Sequence, residues 1–234
     1  MVNKTCEEYI SPTQQTSLSA HPQPLGNNLS FSSLKKLSYI HLYAGDIPQN
    51  LNYQKIGLSI TNADENHIRH NIINSHDISD NSVDVYQAED VFEHIEYEKL
   101  ESIVKDIYRI LKPGGLFRLS VPDYRCNILY NRSIKDDDGK IIFDPFGGGD
   151  YSESEKKVTN GGHLWFPTFE KIKELLMKIP FSIIDYLHYY DEDGNPHCKE
   201  IDYKKGYIQR TPDHDERVSN PYRPMSIVVD CYKA

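Results

Sequence analysis

Residues 83–123, VDVYQAEDVFEHIEYEKLESIVKDIYRILKPGGLFRLSVPD, change their hydrophobic period twice, and that change decides the fold class. Ser82 to Ala88 is a compact apolar run with the character of a buried strand. After it, Leu100, Ile103, Val104, Ile107, Ile110 and Leu111 recur at intervals of three and four, which is one face of a helix. Lys112-Pro113-Gly114-Gly115 ends that helix, because proline cannot continue the hydrogen-bond ladder and glycine accepts left-handed dihedrals. Leu116 to Val121 then reads as a second strand, closing at Pro122-Asp123.

Working outward, LSYIHLY (37–43) reads as a buried strand entering a turn at Ala44-Gly45-Asp46. KIGLSI (55–60) is a further short strand, and the chain between the two has room for only a turn or two of helix. Downstream, PTFEKIKELLMKIP (167–180) reads as a helix with Thr168 as N-cap. FSIIDYLHYY (181–190) and MSIVVDCY (225–232) read as two late strands with no helical pattern between them, and so as an antiparallel closing pair. Strands alternating with helices predict an α/β fold, a Rossmann-like doubly wound, mostly parallel sheet of seven strands with an antiparallel last strand.

Residues 1–30 are rich in Ser, Thr, Gln, Asn and Pro and bury too little apolar area to offset chain entropy, which predicts a loose arm ahead of a domain over 31–234. Two polar stretches, about 131–162 and 191–223, are expected as inserted loops, the first of the lid, binding or disordered kind and the second acidic, aromatic and dense in hydrogen-bonding groups. The net charge of -9 and the lack of any basic run argue against a nucleic-acid partner. The four cysteines are scattered without a CxxC pair, so neither structural zinc nor a disulfide framework is expected. No apolar window is long enough to span a membrane and the N-terminus is not signal-like, which predicts a cytoplasmic protein.

Glu93-His94-Ile95, then Arg109-Ile110-Leu111-Lys112-Pro113-Gly114-Gly115, then Leu116 to Val121 resemble the central part of class I S-adenosylmethionine-dependent methyltransferases of the type 11 kind. The resemblance is close over 83–123 and extends loosely, as an order of elements, from 37 to 233. It implies S-adenosyl-L-methionine as cofactor. It aligns Tyr43 with the first glycine of the family's Gly-x-Gly turn, while Ala44, Gly45 and Asp46 keep the turn character. Ser59 falls where the family holds the ribose with an acidic residue, and Asp77 where it contacts adenine. Glu89 and Asp90 fall on the carboxyl edge where ligands of open α/β sheets collect, and His94 beneath the cofactor.

For chemistry, Asp123 and His163 are the candidate catalytic residues. Asp123 closes a strand at the carboxyl edge, and His163 follows the first long loop, with an imidazole suited to proton abstraction near neutral pH. The blocks around Gly161–Thr168 and Gly206–Arg217 are similar to those of methyltransferases associated with glycan assembly. They imply a sugar or glycan acceptor held by Trp165, Tyr207, Arg210, Asp213, Asp215 and Arg217. Asp123, Asp213 and Asp215 offer hard oxygen ligands, but their spacing does not require an ion, and no metal is predicted. Two other readings stand beside the sugar O-methyltransferase: a noncatalytic methyltransferase-like binding module, motivated by Tyr43 and Ser59, and a methyltransferase of a small nonsugar metabolite.

Overall fold

The computed structural model describes residues 29–47 and 55–234. The arm expected over residues 1–30 therefore lies outside the described residues except for Leu29 and Ser30, and Leu29 is already in the core. The helices are α1 (Phe31–Leu34), α2 (Tyr97–Ile110), α3 (Asn127–Arg132) and α4 (Phe169–Leu176). The strands are β1 (His41–Ala44), β2 (Ile56–Ser59), β3 (His67–Arg69), β4 (Val83–Glu89), β5 (Leu111–Pro122), β6 (Ile134–Lys135), β7 (Ile141–Phe143), β8 (Asp150–Ser152), β9 (Lys157–Thr159), β10 (Ile183–Tyr190), β11 (Pro196–Cys198) and β12 (Ser226–Tyr232).

The main sheet runs in the order β11-β10-β12-β5-β4-β1-β2-β3. Strands β3, β2, β1, β4 and β5 are mutually parallel, and β12 lies antiparallel between β5 and β10. The mixed, mostly parallel sheet and its antiparallel closing pair are as expected. The strand count is not: β11 extends the edge antiparallel to β10, giving eight strands rather than seven. The sequence hides β11 because its three residues, Pro-His-Cys, carry no alternation.

The sheet is not wound on both sides among the described residues. Leu42, Ala44, Tyr86, Ala88, Phe117, Leu119, Val121, Ile227 and Val229 face one side and share a core with α1, α2 and α4. The five buried apolar residues of α2 in that core contribute roughly 1.5–3 kcal/mol each. Register puts His41, Gln87, Arg118 and Asp230 on the opposite face. Between β2 and β3 the chain at 60–66 is too short to lay a helix there. Part of the 191–223 segment covers this face instead, with Ile201 and Ile208 packing on Leu187 and Val228. Buried Arg118 donates to both carboxylate oxygens of Asp230 at 2.8 and 2.7 Å and to the carbonyls of Asp202 and Gly206 at 2.9 and 2.6 Å.

The 131–162 stretch is also more ordered than its composition suggests, forming the hairpins β6–β7 and β8–β9. Cys126 and Cys231 are buried free thiols, whereas Cys198 is disulfide-bonded. No helix among the described residues is long and apolar enough to cross a membrane.

Candidate active site

Strand order reverses between β1 and β4, so their carboxyl ends frame the crevice where open α/β sheets take ligands. Tyr43, at the end of β1, is buried, and its hydroxyl donates to Glu89 Oε2 at 3.4 Å. Gly45 has φ +94°, a conformation that suits glycine, so the β1 turn keeps a tight path despite Tyr43. At the end of β4, Glu89 accepts from the Gln209 amide at 2.7 Å. Asp90 pairs with Arg210 at 2.7 Å, and its Oδ1 is buried without a partner. Burial, reinforced by Asp90, pushes the Glu89 carboxyl up to about 7. Burial likewise raises Asp90, against the pull of Arg210. This edge is therefore a buried acidic corner roofed by the late insert.

A second corner adjoins it. The 3-10 turn Phe92–His94 follows β4, and the chain at 162–165 is stitched to it by backbone and side chain. The Leu164 amide donates to Glu93 O at 2.8 Å, His94 Nδ1 to Gly162 O at 2.9 Å, and the Trp165 indole to Phe92 O at 3.0 Å. Gly162 has φ +82°, and a Cβ there would sit 2.2 Å from Gly148 O. A Cβ on Gly147 would meet the His163 ring at 2.7 Å. The glycine-rich 147–149 run thus lets one loop close over His163.

His163 is 4 % exposed, and its Nε2 lies 3.7 Å from Glu93 Oε1. Its Nδ1 is bonded to the Tyr124 hydroxyl, which donates to Asp144 Oδ2 at 2.6 Å. Because that hydroxyl proton is committed to Asp144, the network assigns the imidazole proton to Nδ1 and the lone pair to Nε2. Burial, with a smaller push from His94, lowers the His163 pKa to about 3, so the ring is neutral at pH 7. Glu93 is fully buried, and neither carboxylate oxygen has a partner. Burial holds its pKa well above the carboxylate range.

A cleft of about 560 Å³ opens beside both corners. It gathers Asp90, His163, Arg210, Asp215 and Arg217 from the sequence expectations, and adds Arg132, Phe146, Gln209, His214 and Glu216. The other expected residues stand elsewhere. Asp123 is buried, with its oxygens accepting from the Arg125 and Tyr190 amides at 3.0 and 2.8 Å, so it ties β5 to β10 and does not line the cleft. Trp165 is a buried anchor for its segment. Asp213 is engaged by the Tyr203 and Tyr222 hydroxyls. Tyr207 rests on His214, and its carbonyl accepts from Gln87.

On the cofactor side, Ser59 Oγ accepts from the amides of Thr61 and Asn62, capping its own turn. Asp46 is exposed and holds Asn62 at 3.1 Å, which places a carboxylate between the ends of β1 and β2. Asp77 is exposed on the chain returning to the amino end of β4, where the Asn81 and Ser82 amides bind the last turn of α2. That is the edge opposite the cleft. Tyr124, Arg132 and Asp144 escaped sequence reading because they meet His163 only in the fold. Glu93 was visible in its motif, but only structure reveals its orphaned carboxylate.

Residues 26–119 match the family model described as a methyltransferase domain. The match covers β1 to most of β5, less than half of the chain, and ends before most of the cleft lining. No curated protein matches the sequence. Among solved structures, an S-adenosylmethionine-dependent methyltransferase from Clostridium acetobutylicum superposes with a TM-score of 0.51 at 12% identity, covering 87% of each chain. One from Methanosarcina mazei gives 0.48 at 13% identity, covering 88% of this chain and 98% of its own. The Clostridium likeness bears on fold alone: a Rossmann-like α/β sheet.

Proposed function

We propose, from the methyltransferase domain carried by residues 26–119, that this protein is an S-adenosylmethionine-dependent methyltransferase acting on a hydroxyl of a sugar or glycan. The observation that carries the reading is the charged cleft beside the switch point. Asp90, Arg132, Arg210, Asp215 and Arg217 offer acceptors and donors within one cavity, with His163 in its wall. Such a lining suits a polyhydroxylated acceptor, because each hydroxyl both gives and takes a hydrogen bond.

The chain's residues fit the cofactor at two points. Buried Asp90 Oδ1, without a partner at the end of β4, suits a cationic group, as a sulfonium or ammonium is. Asp46 provides the carboxylate for a ribose diol that Ser59, occupied in its own turn, does not. When bound, S-adenosylmethionine supplies an electrophilic methyl group. The chain's part is to align the acceptor and to take its proton. His163 Nε2 is the acceptor atom of this reading. The imidazolium that forms there has Asp144, 4.0 Å from Nδ1, to hold its charge.

Calorimetric titration of S-adenosylmethionine, followed by methyl-transfer assays on free, nucleotide-linked and polymeric sugars, tests the reading. Saturable cofactor binding, methylated sugar, and a loss of turnover in His163→Ala with cofactor affinity kept are expected. Absence of binding at millimolar cofactor sinks the enzyme and leaves the noncatalytic module, which capped Ser59 and buried Tyr43 favour. Transfer to nonsugar acceptors alone rejects the sugar assignment.

A further inference from the structure

We propose that Glu93, His94 and His163 form a binding site for one divalent transition-metal ion of the zinc class. One potential ligand atom from each residue lies within 4.8 Å of the others. Two imidazoles and one carboxylate are a donor set that zinc takes in three-ligand sites, leaving a fourth position open. The His163 Nε2 to Glu93 Oε1 separation of 3.7 Å is close to the roughly 3.3 Å expected between two ligands on metal bonds of 2.0–2.1 Å.

Three independent features point to an ion. First, both Glu93 oxygens are buried and unpartnered, and a buried carboxylate without a hydrogen bond or counter-charge is costly. Second, each histidine has its other nitrogen fixed. His94 Nδ1 donates to Gly162 O and His163 Nδ1 to the Tyr124 hydroxyl, which is itself held by Asp144. Metal-bound histidines are oriented in this way, with the free Nε2 carrying the lone pair. Third, His94 is exposed while the other two ligands are buried, which gives the ion an entry side and lets the His94 ring adjust. The neighbouring cation, Arg210, is already matched by Asp90 at 2.7 Å and does not satisfy Glu93.

This site concerns metal binding and stands independently of the methyl-transfer reading. The two meet at one atom. An ion on His163 Nε2 takes the lone pair that would otherwise accept a proton, so metal loading and proton acceptance there exclude each other.

The test is titration of chelator-treated protein with Co²⁺ alone, followed by its visible ligand-field absorption, then displacement with Zn²⁺. One equivalent of Co²⁺ is expected, released by one equivalent of Zn²⁺. Glu93→Gln and His94→Asn should each weaken binding by at least about tenfold, and Tyr124→Phe, which touches no ion, by about 10–100-fold. Glutamine keeps the shape of the buried acid, His94 is exposed, and Trp165, the sole tryptophan, reports by its emission that the 92–94 turn remains folded. Absence of stoichiometric Co²⁺ binding by the parent protein overturns the proposal. So does unchanged affinity in folded Glu93→Gln and His94→Asn. S-adenosylmethionine calorimetry on chelated protein is a separate readout, so either proposal fails without the other.

Discussion

Asp123 shows how a residue can be well placed by sequence and still serve a different end. Its position after β5 was legible, because an apolar run closing on Pro-Asp marks a strand end. Its partner was not, since the Tyr190 amide lies 67 residues away and amide donors leave no mark on side-chain patterns. Burial pushes its pKa to about 6 from the ordinary 3.8, outweighing two amide bonds; Arg125 and Glu170 are the charged groups that act on it. The folded chain thus binds this proton more tightly than the unfolded chain. The contribution to stability is complete below about pH 4 and is lost as pH rises through about 6, amounting to roughly 3 kcal/mol. Asp123→Asn cannot ionise, but it turns an NH₂ toward a backbone donor. We expect it to cost about 1–3 kcal/mol at acid pH and to flatten the pH 4–6 slope. Urea unfolding at several pH values decides this, and an unchanged slope in the variant removes Asp123 as its source.

At the scale of elements, the sequence was most legible where a feature repeats. The period of α2 and the Lys112–Gly115 stop are local, and the helix ends at Ile110. The glycine-rich loop was legible only as composition. Its two neighbouring glycines differ in a way that sequence does not reveal: both lie at positive φ, but a Cβ on Gly161 meets nothing within 4 Å, whereas one on Gly162 meets Gly148 O at 2.2 Å. Gly161→Ala should therefore cost only backbone strain, about 1–2 kcal/mol. Gly162→Ala adds a backbone collision and should cost more, displacing the segment that carries His163 while α2 and the sheet persist. Denaturation midpoints compared with near-ultraviolet signals from Trp165 give the answer, and equal losses in the two variants would reject the loop packing described.

At the scale of the whole molecule, the decisive fact is that, among the described residues, a connection covers the sheet face that a helical layer would otherwise take. Polarity along 191–223 marked an inserted loop, and polar residues also occupy the sheet face it covers, so its composition complements that face. Contacts such as Gln209 to Glu89 and Arg210 to Asp90 span 120 residues and have no period to betray them. Arg118 is the centre of this layer, fully buried and holding Asp230 together with two carbonyls of the insert. Arg118→Met leaves a buried carboxylate unpaired and the carbonyls bare, so a loss of about 3–5 kcal/mol is expected. Pairing it with Asp230→Leu should recover part of that loss by removing the lone charge, but not the part owed to the carbonyls. Hydrogen exchange carries the finer prediction. In Arg118→Met, amides of 202–215 should exchange faster while those of α2 and β4 stay protected, because the apolar core lies on the other face. Uniform acceleration over the sheet would mean that the insert is part of one cooperative core. Faster exchange confined to the insert would mean that the roof over Glu89 and Asp90 opens as a unit, giving ligands a route to the carboxyl edge without unfolding the sheet.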